Sequence, residues 1–307
     1  DSIGAGIGIY RAAKSLNKKA HIVVNNPTMS VRPIIQSFQD NPDYDEHMFI
    51  DSDEARGIVD ANTVVVVVDT NKPSYTECED LLHMTKTIVV LDHHRQGSEV
   101  IQNAVLSYIE PYASSACEMV AEILQYFSDD IRIYNIEADA LYSGIIIDTN
   151  NFTSKTGVRT FEAAAFLRRC GADVTRVRKM FRDDVKSYRA KAEAIRHVET
   201  YRGSFALAVC PSEGIDSPTV VASQAANELL NVDSIKATFV LTDYQNKIYI
   251  SARAIDEVNV QLIMERLGGG GHINMAGAQL TGVTVEEAIA TLKDTIDQMI
   301  KEGDIEA

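Results

Sequence analysis

Cysteine is scarce and widely spaced. The four residues, Cys78, Cys117, Cys170 and Cys210, form no Cys-x-x-Cys pair, which excludes a zinc ribbon and a thioredoxin-type redox motif and agrees with a reducing, cytosolic setting. Long apolar runs are lacking too. None approaches the roughly 18 residues of a membrane span, so this stretch is not expected to cross a bilayer. Basic residues are in deficit, 29 Lys and Arg against 44 Asp and Glu, and the net charge of -15 argues against a grip on long nucleic acid, which requires many neutralised phosphates. A small phosphate ligand held through metal ions stays compatible. There is no internal repeat and no low-complexity segment. Because the first residue is not Met, the sequence is expected to be a piece of a longer protein, with any anchor or sensor lying upstream of it.

What is present is an ordinary globular composition, 45% apolar and 24% charged over 307 residues, long enough for about two domains at roughly 150 residues each. The most informative stretch is Val89-Val90-Leu91-Asp92-His93-His94. Residues 88–91 are too few for a helix and read as a buried strand, with the polar triplet at its carboxyl end, where open parallel sheets collect ligands. Two further segments read the same way. Residues 64–68 are an unbroken valine run ending in Asp69-Thr70, and residues 144–147 read as a strand ending in Asp148-Thr149-Asn150-Asn151. With Asp1 at the opening, Asp1, Asp69, Asp92, His93, His94 and Asp148 form a candidate constellation. One strand-end Asp alone is better explained as a helix N-cap; three beside Asp-His-His point to metal.

Around these motifs, residues 6–16 read as a helix, 21–24 and 48–50 as short strands and 31–38 as a helix, with 51–54 an acidic turn. Residues 114–127, 135–142 and 160–170 follow as helices, the last closed by Gly171. Gly4, Gly6 and Gly8 lack the G-x-G-x-x-G spacing of a dinucleotide fingerprint and are better explained as letting a helix approach a sheet. This alternation predicts an α/β fold with a doubly wound, mainly parallel sheet over residues 1–185. The charged segment 183–200 reads as an exposed helical connector, with the linker at 186–200, and residues 201–307 as a smaller α/β domain. In that domain 205–209 is a strand, Ser217-Pro218 opens a helix, 235–241 and 247–253 flank a hairpin turn at 243–246, and 260–267 is a short helix. Gly268, Gly269, Gly270, Gly271 and His272 read as a flexible loop, and Thr284 to Glu287 as a capping box.

Carboxylate oxygen with imidazole and no thiolate suits manganese, with magnesium, iron(II) or zinc less favoured. Asp69, ending the longest apolar strand near the expected sheet centre, is placed to bridge two ions about 4 Å apart that would activate water for phosphoryl displacement. The glycine run frees backbone N–H groups for an anion, and Arg253 at a strand end suits bidentate phosphate binding.

Taken together, Asp92-His93-His94, the opening Asp-Ser-Ile-Gly-Ala, Asp69, Asp148-Thr149-Asn150-Asn151-Phe152 and the glycine-histidine run resemble the DHH phosphoesterases carrying a DHH-associated domain of the first subtype. More narrowly, Asn151-Phe152-Thr153, the segment 156–163 and Glu265-Arg266-Leu267 resemble cyclic di-AMP phosphodiesterases of the GdpP type. The resemblance implies hydrolysis of cyclic di-AMP to 5'-pApA with two manganese ions. Asp1, Asp69, His93 and Asp148 would bind metal, Asp69 as the bridge. Asp92 would orient the histidines, and His94 would sit near the scissile phosphate. Gly268, Gly269, Gly270, Gly271 and His272 with Arg253 would hold the far nucleotide across an interdomain cleft. The family's opening His and first Asp lie before residue 1, so one ion lacks ligands in the sequence given. Family members usually carry transmembrane and sensory regions upstream, making this the cytosolic module of a membrane-anchored bacterial protein; a homodimer is allowed. The rival readings are a RecJ-like or short-oligonucleotide exonuclease and a non-catalytic nucleotide sensor. A DHH-type inorganic pyrophosphatase is disfavoured by the glycine-histidine run.

Overall fold

Alternation of short β-branched runs with amphipathic segments gives an α/β chain of two units, Asp1–Arg182 and Asp183–Ala307. The structure is a computed structural model and describes residues 1–28, 31–128, 130–255 and 257–306.

The first unit opens with α1 (Ser2–Ser15), β1 (Ile22–Val23), α2 (Arg32–Gln39), β2 (Phe49–Ile50) and α3 (Ser52–Ile58). The acidic stretch 51–54 is not a turn but the start of α3. Asp51 accepts from the backbone N–H groups of Asp53 and Glu54, and Glu54 accepts in return from the Asp51 N–H. Then come β3 (Val64–Val68), α4 (Leu81–Met84), β4 (Thr87–Asp92), β5 (Leu106–Ile109), α5 (Ala116–Phe127), α6 (Asn135–Asp148), α7 (Val158–Arg169) and α8 (Val174–Met180).

Every strand pair here is parallel, as alternation predicts, but hydrogen bonding divides the strands into a β1-β2 pair and a β3-β4-β5 ladder. β4 is therefore the middle strand, and β3 borders its ladder; of its valines only Val67 is buried. Alternate residues feed opposite faces. Val66, Val68, Val89 and Leu91 pack with α5 and α6, whereas Val65, Val67, Ile88 and Val90 pack with Leu82 and Ile101. Both faces are covered, which places the strand ends at the rim.

Gly4 and Gly8 bring helices together rather than a helix to a sheet. A Cβ on Gly4 would lie 2.5 Å from the Ala140 carbonyl oxygen, and one on Gly8 would lie 2.4 Å from Val120, so α1 seats directly on α6 and α5.

The second unit begins with α9 (Val185–Arg196), read above as part of a connector. Ala190 and Ala194 are buried and pack with the small residues of α10 (Pro218–Leu229), an apolar stripe too narrow to register as a core face in so charged a segment. The strands are β6 (Glu199–Tyr201), β7 (Phe205–Val209), β8 (Ala237–Tyr244), β9 (Lys247–Ala254), β10 (Gly270–His272) and β11 (Met275–Thr281), in the order β10-β11-β9-β8-β7-β6. Gln245 and Asn246, with φ of 52° and 59°, form the β8–β9 turn. α9 and α10 pack on one face; α11 (Val260–Arg266) and α12 (Val285–Glu302) cover the other. Among the described residues no helix is long and apolar enough to cross a membrane.

Candidate functional site

Parallel pairing in register puts the ends of β3 and β4 side by side: Val68 faces Leu91, and the Asp69 N–H donates to the Leu91 carbonyl at 2.9 Å. At that point the backbone of Asp69 turns left-handed, with φ of 65°, a conformation that Asp tolerates better than most residues. Its Oδ2 accepts from Ser2 Oγ at 2.8 Å, while its buried Oδ1 has no hydrogen-bond partner.

His93, next in line on β4, is 8% exposed. Its Nδ1 meets the Ala113 carbonyl at 3.4 Å, which leaves Nε2 aimed at three carboxylates: Asp69 Oδ1 and Asp148 Oδ2 at 3.3 Å each and Asp1 Oδ2 at 3.6 Å. It hydrogen-bonds to none of them. Burial alone would depress this imidazole, but the facing carboxylates of Asp148 and Asp69 overcome that and raise it to about 9. For Asp69, burial pushes upward, and the imidazole of His93 outweighs it to hold the carboxyl below the ordinary range.

The remaining ligand candidates arrive from helices. Asp1 precedes α1, and both its oxygens are taken by the first N–H groups of α5: Ala116 N donates to Oδ2 at 2.6 Å and Cys117 N to Oδ1 at 2.8 Å. Gly144 makes room for this, since a Cβ there would lie 2.3 Å from Cys117 Sγ and 2.9 Å from Asp1 Oδ1. Asp148 does not end a strand. Residues 144–147, short, apolar and β-branched, continue α6 from Asn135, and Asp148 is its last residue. The helix then stops at Asn150, Asn151 and Phe152, with φ of 46°, 58° and 63°. Phe152 stacks on Phe161 of α7, ring centroids 5.5 Å apart, a contact that holds an unfavourable backbone in place.

One donor atom from each of Asp1, Asp69, His93 and Asp148 falls within 4.8 Å of every other. Ligands about 2.1 Å from a six-coordinate cation lie about 3.0 Å apart when adjacent and about 4.2 Å when opposite, so the observed spacings suit a divalent ion. The donor set fits as well: Asp69 Oδ1 and His93 Nε2 are buried and make no hydrogen bond, and His93 Nδ1 faces a carbonyl, the usual arrangement behind a metal-binding imidazole.

Asp92 is fully buried and orients only one histidine. Its Oδ1 accepts from His94 Nδ1 at 2.8 Å and from the His94 N–H at 3.1 Å, and Oδ2 accepts from Asn71 Nδ2 at 2.5 Å. Burial raises the Asp92 carboxyl, and the His94 and Asn71 bonds bring it below its usual range. The side chain of His94 is 45% exposed, with Nδ1 3.9 Å from Asp69 Oδ1. Ser2, Asn71 and Gly144 were not singled out from the sequence. Ser2 and Asn71 each lie within two residues of a candidate Asp, and that proximity was the available signal.

In the second unit the glycine run is structured. Gly268 ends α11 with φ of 75°; its N–H donates to the Glu265 carbonyl, and that of Gly269 to Met264 at 2.8 Å, closing the helix in a Schellman arrangement. Gly270, Gly271 and His272 then form β10 rather than a flexible loop, because backbone pairing with β11 is available. Arg253 is 9% exposed and, among the described residues, faces no carboxylate; it donates to the Ala252 carbonyl at 2.8 Å and to Ser223 Oγ. Burial pulls its guanidinium down to about 10, still protonated at neutral pH.

Comparison with known proteins matches residues 1–145 to the DHH family, N-terminal domain, and residues 203–302 to the DHHA1 domain. The chain is 42% identical to the cyclic-di-AMP phosphodiesterase GdpP of Bacillus subtilis, over 99% of this chain and 46% of that protein. It is 38% identical to the cyclic-di-AMP phosphodiesterase PdeA of Listeria monocytogenes, over 97% of this chain and 45% of that protein. The chain thus spans less than half the length of these relatives. A crystal structure of an exopolyphosphatase-related protein from Bacteroides fragilis shares the fold, with a TM-score of 0.80 at 19% identity, covering 97% of this chain and 88% of that one.

Proposed function

We propose that this chain, which belongs to the DHH family and carries a DHHA1 domain in its second unit, is a metal-dependent phosphodiesterase that hydrolyses cyclic di-AMP to 5'-pApA. The observation that carries the reading is the convergence of three carboxylates on His93 Nε2 in a chain similar to named cyclic-di-AMP phosphodiesterases over nearly its whole length. The donors favour manganese, hard oxygen with one imidazole and no thiolate. When bound, divalent cations acidify water and stabilise charge on phosphoryl oxygens.

Asp1, Asp69, His93 and Asp148 would hold the ion, and the two N–H bonds to Asp1 fix its carboxylate in advance. Asp69, which also accepts from the Ser2 hydroxyl, would help to hold a second ion as well. Asp92 holds the His94 ring in place through Nδ1, and His94 would sit near the scissile phosphate. Gly268, Gly269, Gly270, Gly271, His272 and Arg253 would bind nucleotide phosphate in the second unit. In the relatives' fuller length this module would be one part of a membrane-anchored protein acting on its substrate in the cytoplasm.

Product analysis after incubating the chain with manganese and cyclic di-AMP, beside cyclic di-GMP and linear pApA, tests the proposal. Manganese-dependent 5'-pApA is the expected product. Degradation of linear dinucleotide with intact cyclic di-AMP would replace it with a short-oligonucleotide nuclease, and binding without any cleavage would replace it with a sensor.

A further inference from the structure

Just past the end of β3, the short segment 69–71 addresses the whole Asp92-His93-His94 triplet. Asp69 brings its Oδ1 to 3.3 Å from His93 Nε2. Two residues on, Asn71 is 3% exposed and meets the residues on either side of His93: its Nδ2 donates to Asp92 Oδ2 at 2.5 Å and to the His94 carbonyl at 3.3 Å. Both partners are acceptors, which fixes the amide with its nitrogen toward them. The backbone around Asn71 is pinned too, since its carbonyl accepts from the Ile101 N–H at 2.9 Å and Thr70 Oγ1 accepts from the Lys72 N–H at 3.2 Å. Asn71 Oδ1 is buried and makes no hydrogen bond among the described residues. The side chain is therefore in place for its donors, because an idle buried acceptor is a cost that an apolar residue of the same size would not incur.

Those donors are not needed to build the strand. The Leu91 carbonyl already accepts from the Asp69 N–H and the Asp92 carbonyl from the Glu110 N–H, at 2.9 Å each. What Asn71 holds lies beyond that pairing. The Asp92 side chain is fully buried; its Oδ1 is occupied by the backbone and ring of His94, and among the described residues Asn71 is the partner of Oδ2. The two histidines differ in what else restrains them. His93 is buried between the Ala113 carbonyl and three carboxylates. The His94 side chain is 45% exposed, and besides its bond to Asp92 it has the His93 ring, centroids 4.4 Å apart, and Asp69 Oδ1 at 3.9 Å.

We propose that Asn71 is a positioning residue for the reaction: one buried amide clamps both the Asp92 carboxylate and the His94 carbonyl, and so sets the direction in which the His94 ring meets substrate. Without it Asp92 loses the bond that stops its carboxylate turning, and the ring turns with it. Asp1, Asp69, His93 and Asp148 keep their own supports, so the loss falls on turnover and not on metal binding. The inference rests on the proposed function for what His94 does, not for how it is held.

The test is Asn71→Leu, similar in size and without donors, read in two ways. In the metal-free protein carrying isotope-labelled histidine, the ring carbon-proton signals of His94 are expected to shift and broaden. They should stay in place in Asn103→Ala, which deletes another amide bond, from Asn103 Nδ2 to the Leu82 carbonyl. With manganese and cyclic di-AMP, Asn71→Leu should lower kcat about tenfold or more while KM and manganese affinity stay close to those of the parent. Asn71→Ser, whose single donor cannot serve both acceptors, takes its place should thermal unfolding show Asn71→Leu misfolded. An unchanged His94 spectrum, turnover equal to that of an active parent, or a turnover loss explained by lost manganese affinity would overturn the positioning role. A parent that never cleaves cyclic di-AMP, with the His94 ring freed in the variant, would strike the proposed function alone.

Discussion

Two side chains decide whether the first unit can work as a metal centre. Asp69 combines a buried oxygen that makes no hydrogen bond with a left-handed backbone, so its replacement should keep that backbone tolerable. Asp69→Asn preserves the shape and the tolerance of positive φ but removes the charge. It is expected to lower manganese-dependent turnover by at least about 100-fold, with a thermal midpoint near that of the parent, the cost of a lost ligand being several kcal/mol at the transition state. Near-parental turnover would remove Asp69 from the site. His93 gives a second expectation. Raised to about 9, it is protonated in the metal-free protein at pH 7.5, whereas an ion requires the neutral ring. Manganese binding should therefore release about one proton per site between pH 7 and 8, measurable as the dependence of titration heat on buffer ionisation enthalpy, and release should fade above pH 9. The same shift means that, without metal, the stabilisation from charged His93 is complete below the unfolded-chain value of about 6.5 and is lost as pH rises through 9. At this scale Asp92-His93-His94 and Asp69 were legible because polar residues at the end of an apolar strand stand out. Ser2 and Asn71 were not, since a hydroxyl or amide bonded to a carboxylate leaves no pattern in the chain.

Elements carry the site through their ends: two strand termini, the start of α5 and the last turn of α6. The sequence allowed the first two to be read from runs of valine and leucine. It misled at α6, where four apolar residues before an Asp look alike in a strand and in a buried helix, and only the unbroken 14-residue span from Asn135 distinguishes them. Nor could it reveal that Gly144 is the floor beneath Asp1, because the neighbour it accommodates, Cys117, is distant in sequence. Gly144→Ala should destabilise the first unit by about 1–3 kcal/mol and weaken manganese binding as well, since the added methyl presses on Asp1 and on α5 together. Denaturant midpoints and metal titration of the same variant check both effects; a loss of stability with unchanged metal affinity would separate Gly144 from the site.

For the whole molecule, two units with separate cores predict separable responses. Manganese at 100 times its dissociation constant should stabilise the first unit by about 2.7 kcal/mol and leave the unfolding of the second in place, as read by calorimetry with and without EDTA. A uniform rise of both would show that the ion is not confined to the residues grouped here. The two-unit arrangement and the parallel strands of the first were legible from alternation, and the acidic balance argued against long polyanions. The place of α9 was not, because two alanines in a charged helix give little sign of the surface they cover. β10, three residues long and outermost in its sheet, pairs with β11 on one side. A ribbon so short at a rim opens more readily than the interior of its sheet. Its amide protons should exchange with deuterium quickly when the protein is free and slow once a nucleotide presses against it, so the fraying edge would serve as an internal gauge of occupancy.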